Sequence, residues 1–146
     1  MTERQFKTAS AEETEAVGEM LARELLAKNL RHGFVTLDGE MGVGKTAFAR
    51  GFGRALDISG VKSPTYTVVS EHKGNPIPLF HFDFYRLGDE DDLFTIGYDD
   101  YLAREGLILV EWSERLPAAI PADAIRVRIA RGENDTDRII TIGGTE

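Results

Sequence analysis

The octapeptide GEMGVGKT at residues 39–46 restricts the fold of this chain more than any other stretch. It satisfies G-x-x-x-x-G-K-[ST] in full, with an apolar run, Phe34–Leu37, before it and an amphipathic segment over 45–56 after it. A strand that turns through glycines directly into a helix is a βα unit, and such units build parallel sheets covered by helices. Gly39, Gly42 and Gly44 let the backbone fold tightly around an anion, with N–H groups and a helix N-terminus supplying positive potential. The nucleotide-binding stretch is therefore Gly39, Glu40, Met41, Gly42, Val43, Gly44, Lys45, Thr46 and Ala47. Lys45 is placed to reach the β- and γ-phosphates, and Thr46 to offer its hydroxyl to Mg²⁺. A glycine turn that merely joined a strand to a helix would not need the Lys-Thr pair. The N-K-x-D string with which GTP-specific P-loop proteins read guanine does not occur, which favours ATP.

Periodicity organises the rest. Phe6–Ala9 reads as a short edge strand. Ser10 and Glu13 fit a capping box ahead of a helix over about 11–29, whose Val17, Met20, Leu21 and Leu25 recur at helical spacing. His32-Gly33 ends that helix. The helix over 45–56 puts Phe48, Phe52, Ala55 and Leu56 on one face, and its Gly51 and Gly53 cost propensity while permitting close packing. Two strands, about 66–72 and 77–85, flank the hairpin signal Lys73-Gly74-Asn75-Pro76. Residues 88–105 read as one or two short helices, and Leu107–Glu111 as a buried strand. IRVRIARG and DRIITIGG alternate as a terminal hairpin, with Arg126, Arg128 and Arg131 toward solvent. The expectation is one domain over residues 1–146, a three-layer α/β domain with a mixed, partly antiparallel central sheet.

Composition excludes several functions. There is no cysteine among the 146 residues, so no disulfide scaffold, Cys-ligated zinc or thiol nucleophile. The net charge of −8 argues against a basic nucleic-acid footprint. No apolar run approaches the ~20 residues of a membrane span, and the N-terminus has no apolar signal core. A cytoplasmic location and no membrane contact are expected.

A P-loop enzyme also needs a carboxylate at a strand end. LILVE offers Glu111 and LFHFD offers Asp83. Period two places Phe80, Phe82 and Phe84 on one side of the second strand, with Leu79, His81, Asp83 and Tyr85 on the other. Two readings stay open for Asp83: a satisfied pair with His81 or Arg86, or a group aimed at the γ-phosphate or the attacking water. In SPTYT, either Ser63-Pro64 begins a turn and Thr67 starts a strand, or Ser63 or Thr65 contacts the γ-phosphate or its metal as a nucleotide-sensing loop. Trp112 either packs beside a strand end or borders the nucleotide. The acids Asp89, Glu90, Asp91, Asp92, Asp99 and Asp100 read first as solvated, with a helix N-terminus among them, and second as a docking face. His32 and His72 read as ordinary loop or strand-edge residues.

GEMGVGKT, SPTYTVV, HFDFYRL, EDDLFTIG and LVEWSERL, in this order and spacing, resemble the TsaE (YjeE) family, from about Ser10 to Arg131. These are small bacterial P-loop ATPases needed to make threonylcarbamoyladenosine in tRNA. The resemblance implies a P-loop NTPase fold with a partly antiparallel sheet, and ATP hydrolysis to ADP that is weak in the isolated protein. It implies Mg²⁺ ligands at Thr46 and Glu111, a functional aspartate at Asp83 beside the catalytic Lys45, and switch-like loops at 63–67 and 81–86. The implied partners are TsaB and TsaD, with tRNA reached only through that complex. Met41, Val43 and Ala47 depart from the family's commoner residues without removing a ligand. Two rivals remain on residues alone: a P-loop small-molecule kinase, for which no Arg-bearing lid is visible, and a non-catalytic nucleotide switch.

Overall fold

In the computed structural model, which describes residues 3–28, 31–40, 42–62 and 68–144, Ser10 opens the first helix as its sequence predicts. Its Oγ accepts from the Glu13 amide at 3.1 Å, and Glu13 Oε1 accepts from the Ala9 amide at 2.7 Å, one residue earlier than in the ideal reciprocal box. The helix, α1, runs Ala11–Ala27 behind the edge strand β1, Arg4–Thr8. Then follow β2 (His32–Asp38), α2 (Lys45–Arg54), β3 (Val69–His72), β4 (Leu79–Asp83), α3 (Glu90–Thr95), α4 (Tyr98–Ala103) and β5 (Gly106–Glu111). Two 3₁₀ turns, Ser113–Arg115 and Pro117–Ala119, lead to the hairpin of β6 (Ile125–Arg131) and β7 (Arg138–Gly144).

The strands form one seven-stranded sheet in the order β1-β7-β6-β2-β5-β4-β3. Its centre is parallel, through the pairs β2–β5, β2–β6 and β4–β5. Its edges are antiparallel, through β3–β4, β6–β7 and β1–β7. The mixed sheet expected from sequence is present. Side-chain alternation divides the interior in two. Val35, Leu37, Leu107, Leu109, Val127 and Ile140 face α1 and α2. Phe80, Phe82, Phe84, Ile108 and Val110 face the layer of α3, α4 and the 3₁₀ turns. Each of those buried phenylalanines stabilises the fold by roughly 1.5–3 kcal/mol relative to an exposed one.

The helix layer is tight where α1 crosses α2. A Cβ on Gly18 would lie 2.2 Å from the Phe48 carbonyl oxygen, and one on Gly51 would lie 1.8 Å from that of Glu15. The two backbones touch at paired glycines, so the close packing expected of Gly51 is observed and Gly18 shares it.

Some boundaries move. β2 begins at His32, because His32 and Gly33 pair in register with Gly106 and Leu107 rather than closing α1. α2 stops at Arg54; Leu56 and Asp57 wind off in a turn, with Asp57 at φ +61°. β4 ends at Asp83, two residues early, and residues 66 and 67 of the preceding strand lie outside the described residues. Among the described residues no helix is long and apolar enough to cross a membrane.

Candidate functional site at the carboxyl edge of the parallel strands

Parallel α/β sheets bind ligands beyond the carboxyl ends of their strands. Here β2 delivers Asp38 and the glycine loop to that edge, β5 delivers Glu111, and β4 delivers Asp83. Asp83 is the register partner of Glu111, and Leu37, one residue before Asp38, is its partner on the other side.

The loop has the backbone its glycines predict. Gly42 and Gly44 take φ +78° and +110°, a region that L side chains rarely occupy, and Gly44 is the N-cap of α2. Gly39 lies against β6: a Cβ there would stand 2.6 Å from the Ile129 carbonyl oxygen. Val43 is buried, with its amide donating to the Glu40 carbonyl at 3.3 Å. Lys45, Thr46 and Ala47 form the first turn of α2. Met41, Ser63 and Thr65 lie outside the described residues.

Lys45 is buried, and its Nζ stands 4.4 Å from the centre of the Trp112 ring. That contact holds the ammonium at the mouth of the loop through the ring's negative face. Trp112 adopts φ +59°, uncommon for a bulky residue and of order 1–3 kcal/mol in cost. Tyr85 also packs against the indole, with ring centres 4.9 Å apart and the planes tilted by 56°. Trp112 therefore does more than pack beside a strand end.

The face of β4 that carries His81 and Asp83 is buried, not solvated. His81 is fully buried, and Asp83 is nearly so. Tyr85 does not share that face. It lies past the strand end, half-exposed, and its amide donates to Asp83 Oδ1 at 2.9 Å, so Asp83 shapes the turn that ejects it. Arg86 is exposed just beyond. Of the two partners expected for Asp83, His81 pairs elsewhere: its Nε2 stands 2.6 Å from Glu111 Oε2. Both side chains project from the same face of adjacent strands, where His81 is in register with Leu109, two residues before Glu111.

Other groups were hidden from sequence reading. Arg138, at the start of β7, donates from Nε to the Val43 carbonyl at 2.7 Å and so braces the glycine loop from 95 residues away. Its register partner on β6, Arg131, is exposed as expected, yet its Nη2 would lie 3.7 Å from a Cβ on Gly42. Asp38 accepts from Ser113 Oγ at 2.9 Å, and burial pushes its carboxyl above the ordinary aspartate range. Only the alternation of DRIITIGG hinted at Arg138, and nothing in that pattern says which strand it faces. Of the acids in the 89–100 run, Asp89 is the N-cap of α3, accepting from the Asp92 amide at 3.2 Å, as the solvated reading expects.

The donor set suits a hard divalent cation. Glu111 is a carboxylate withdrawn from water whose one side-chain partner among the described residues is the His81 ring, which holds a single oxygen. A buried carboxylate left so is expensive without a positive partner, and Mg²⁺ takes oxygen ligands of this kind. A cavity of about 970 Å³ opens at the opposite end of the parallel strands, between Leu25, Phe34, Ile108 and Ile125. It lacks the glycine loop and the converging carboxylates that make the carboxyl edge the candidate site.

Comparison with known proteins agrees with this geometry. The family model of the threonylcarbamoyl adenosine biosynthesis protein TsaE matches residues 8–140. The tRNA threonylcarbamoyladenosine biosynthesis protein TsaE of Bacillus subtilis is 33% identical over 140 residues, covering 95% of this chain and 85% of its own length. The protein of the same description from Streptomyces coelicolor is 40% identical over 127 residues, covering 82% and 85%. The crystal structure of Bacillus subtilis YdiB superposes with a TM-score of 0.82 at 29% identity, covering 99% of this chain and 87% of that one.

Proposed function

The chain belongs to the TsaE family of threonylcarbamoyl adenosine biosynthesis proteins, and on that premise we propose that it is the Mg²⁺-dependent, ATP-binding and ATP-hydrolysing subunit of the machinery that makes threonylcarbamoyladenosine in tRNA. It acts with TsaB and TsaD in the cytoplasm, and the acidic chain meets tRNA only through them. The observation that carries this reading is the meeting of a glycine phosphate loop, Glu111 and Asp83 at one edge of the sheet.

The loop amides and Lys45 bind the phosphates, and Lys45 exchanges the Trp112 ring for a phosphate oxygen. Thr46 and Glu111 would hold Mg²⁺, which would neutralise charge on the β- and γ-phosphates. Asp83, held by its bond to the Tyr85 amide, orients the attacking water.

The test is phosphate release from ATP with Mg²⁺, TsaB and TsaD present. Asp83→Asn keeps the oxygen that accepts from Tyr85 but loses the charge, so turnover should fall by roughly 10²–10⁴ with ADP affinity retained. Lys45→Ala should lose affinity itself. Parental turnover in Asp83→Asn would remove the catalytic role. Phosphate appearing on a metabolite would indicate the kinase, and no phosphate release in a single turnover with both partners would indicate the switch.

A further inference from the structure

Resting on the reading that Glu111 is the strand-end metal ligand, we propose that His81 is its positioning residue: the imidazole holds one carboxylate oxygen and turns the other toward the cation.

The geometry supports a directed bond. His81 and Glu111 are both buried, and Nε2 and Oε2 stand 2.6 Å apart, just short of the roughly 2.7–2.9 Å usual for charge-assisted N–H···O bonds. Only a proton on Nε2 can be donated to a carboxylate. Nδ1 has no hydrogen-bond partner among the described residues. A proton there would be a buried donor with no acceptor, so the tautomer protonated on Nε2 is the one the surroundings select. With Oε2 occupied, the glutamate's flexible side chain loses its freedom to rotate and Oε1 is left as the ligand atom.

A purely stabilising role explains this pair poorly. Buried polar pairs are often matched or bettered by apolar residues of similar volume, and His81 sits among Leu79, Leu107 and Leu109 on that face. Hydrogen bonds to ligating groups orient them, and their loss typically costs 10–100-fold in metal affinity. The sequence already places His81 and Asp83 two residues apart on a strand, so one β4 face serves both the metal ligand's orientation and the water's.

The experiment measures ADP affinity by calorimetry with and without Mg²⁺. His81→Gln extends an amide N–H to about where Nε2 stands and can still donate to Glu111. His81→Asn, equally polar, reaches only as far as Nδ1. H81Q should keep the Mg²⁺-dependent part of the affinity within a few-fold. H81N should lose roughly 10–100-fold of it, with metal-free ADP affinity unchanged in both. Glu111→Gln is the control for the underlying reading and should show the same loss. If E111Q loses the Mg²⁺ effect and H81N keeps it, the positioning role is overturned while the metal-ligand reading stands. If E111Q keeps it, that reading falls and the proposal with it. Nitrogen NMR of the parent protein gives an answer that needs no variant. The His81 ring should show the Nε2–H tautomer, with a shift that moves on adding Mg²⁺ to the ADP complex. A ring protonated on Nδ1, or one indifferent to Mg²⁺, overturns the proposal.

Discussion

Replacing Gly51 by alanine sets helix propensity against the crossing of two backbones, and the structure decides the sign. Alanine in a helix interior is favoured over glycine by about 1 kcal/mol. The added Cβ, however, would lie 1.8 Å from the Glu15 carbonyl oxygen, 2.6 Å from its carbon and 2.8 Å from its Cα. All three are main-chain atoms of α1, so no side chain can rotate away. Bringing the closest contact from 1.8 to 3.0 Å, the lower limit for real Cβ contacts, requires α1 to retreat by 1.2 Å. The seam that opens is lined by Val17, Leu21, Phe48 and Phe52, all buried. A gap of about 0.5–1 Å already forfeits a quarter to a half of a dispersion contact. Overpacking costs about 1–3 kcal/mol, and a backbone clash belongs at the top of that range. Net destabilisation should be about 2 kcal/mol, or a Tm lower by about 4–8 °C for a chain of this length. Gly53→Ala is the comparison. It gains the same propensity, and its close contact at 2.6 Å is the Val61 Cγ2, a side-chain atom, with the next at 3.6 Å. Thermal unfolding followed by circular dichroism should rank Gly51→Ala clearly below Gly53→Ala. A Gly51→Ala protein as stable as the parent, or no less stable than Gly53→Ala, would refute the argument. Because α2 begins at Lys45, Gly51→Ala should also weaken nucleotide binding.

Three further outcomes follow from the site. Trp112 is the chain's one tryptophan and touches Lys45, so ADP binding should change its fluorescence, and Lys45→Ala should abolish the change. Arg138→Ala removes the bond that braces Val43, a charged hydrogen bond worth roughly 1.5–3 kcal/mol at most; calorimetry should show ADP affinity down by about tenfold, and unchanged affinity would mean the loop holds its shape unaided. Asp38 titrates above its ordinary 3.8 because burial disfavours its charge. As pH rises from that value, the unfolded chain releases its proton first, so this group's contribution to stability falls until the folded carboxyl has titrated. Asp38→Asn keeps an oxygen for Ser113 and lacks the titration. Its stability relative to the parent, from urea unfolding, should rise with pH across that window, and a flat difference would contradict the cause assigned.

Much of this protein was legible because the signals are local. The glycine spacing of 39–46, the Ser10 cap, the acids that favour a helix N-terminus at 89–92, the hairpin at 73–76 and the alternation of the terminal strands each depend on neighbours within a few residues. They specify βα geometry, the antiparallel edges and the glycine loop without reference to the remaining chain. The candidate carboxylates were also legible, since an acid after an apolar strand is a short-range pattern. The partners were not. Sequence spacing offers Asp83 either His81 or Arg86 as a partner, yet parallel pairing of β4 with β5 puts His81 beside Glu111, 30 residues away. The same holds for Arg138 on Val43, and for Gly18 and Gly51, whose reason for being glycine is the other helix's backbone. Tyr85 left the polar face because the strand ended at Asp83, a boundary set by Asp83's own turn bond. Periodicity says which way a side chain points, but strand order and register determine what stands there to meet it. Those are long-range choices made by packing the whole sheet, and they converted a loop and two acids into one site.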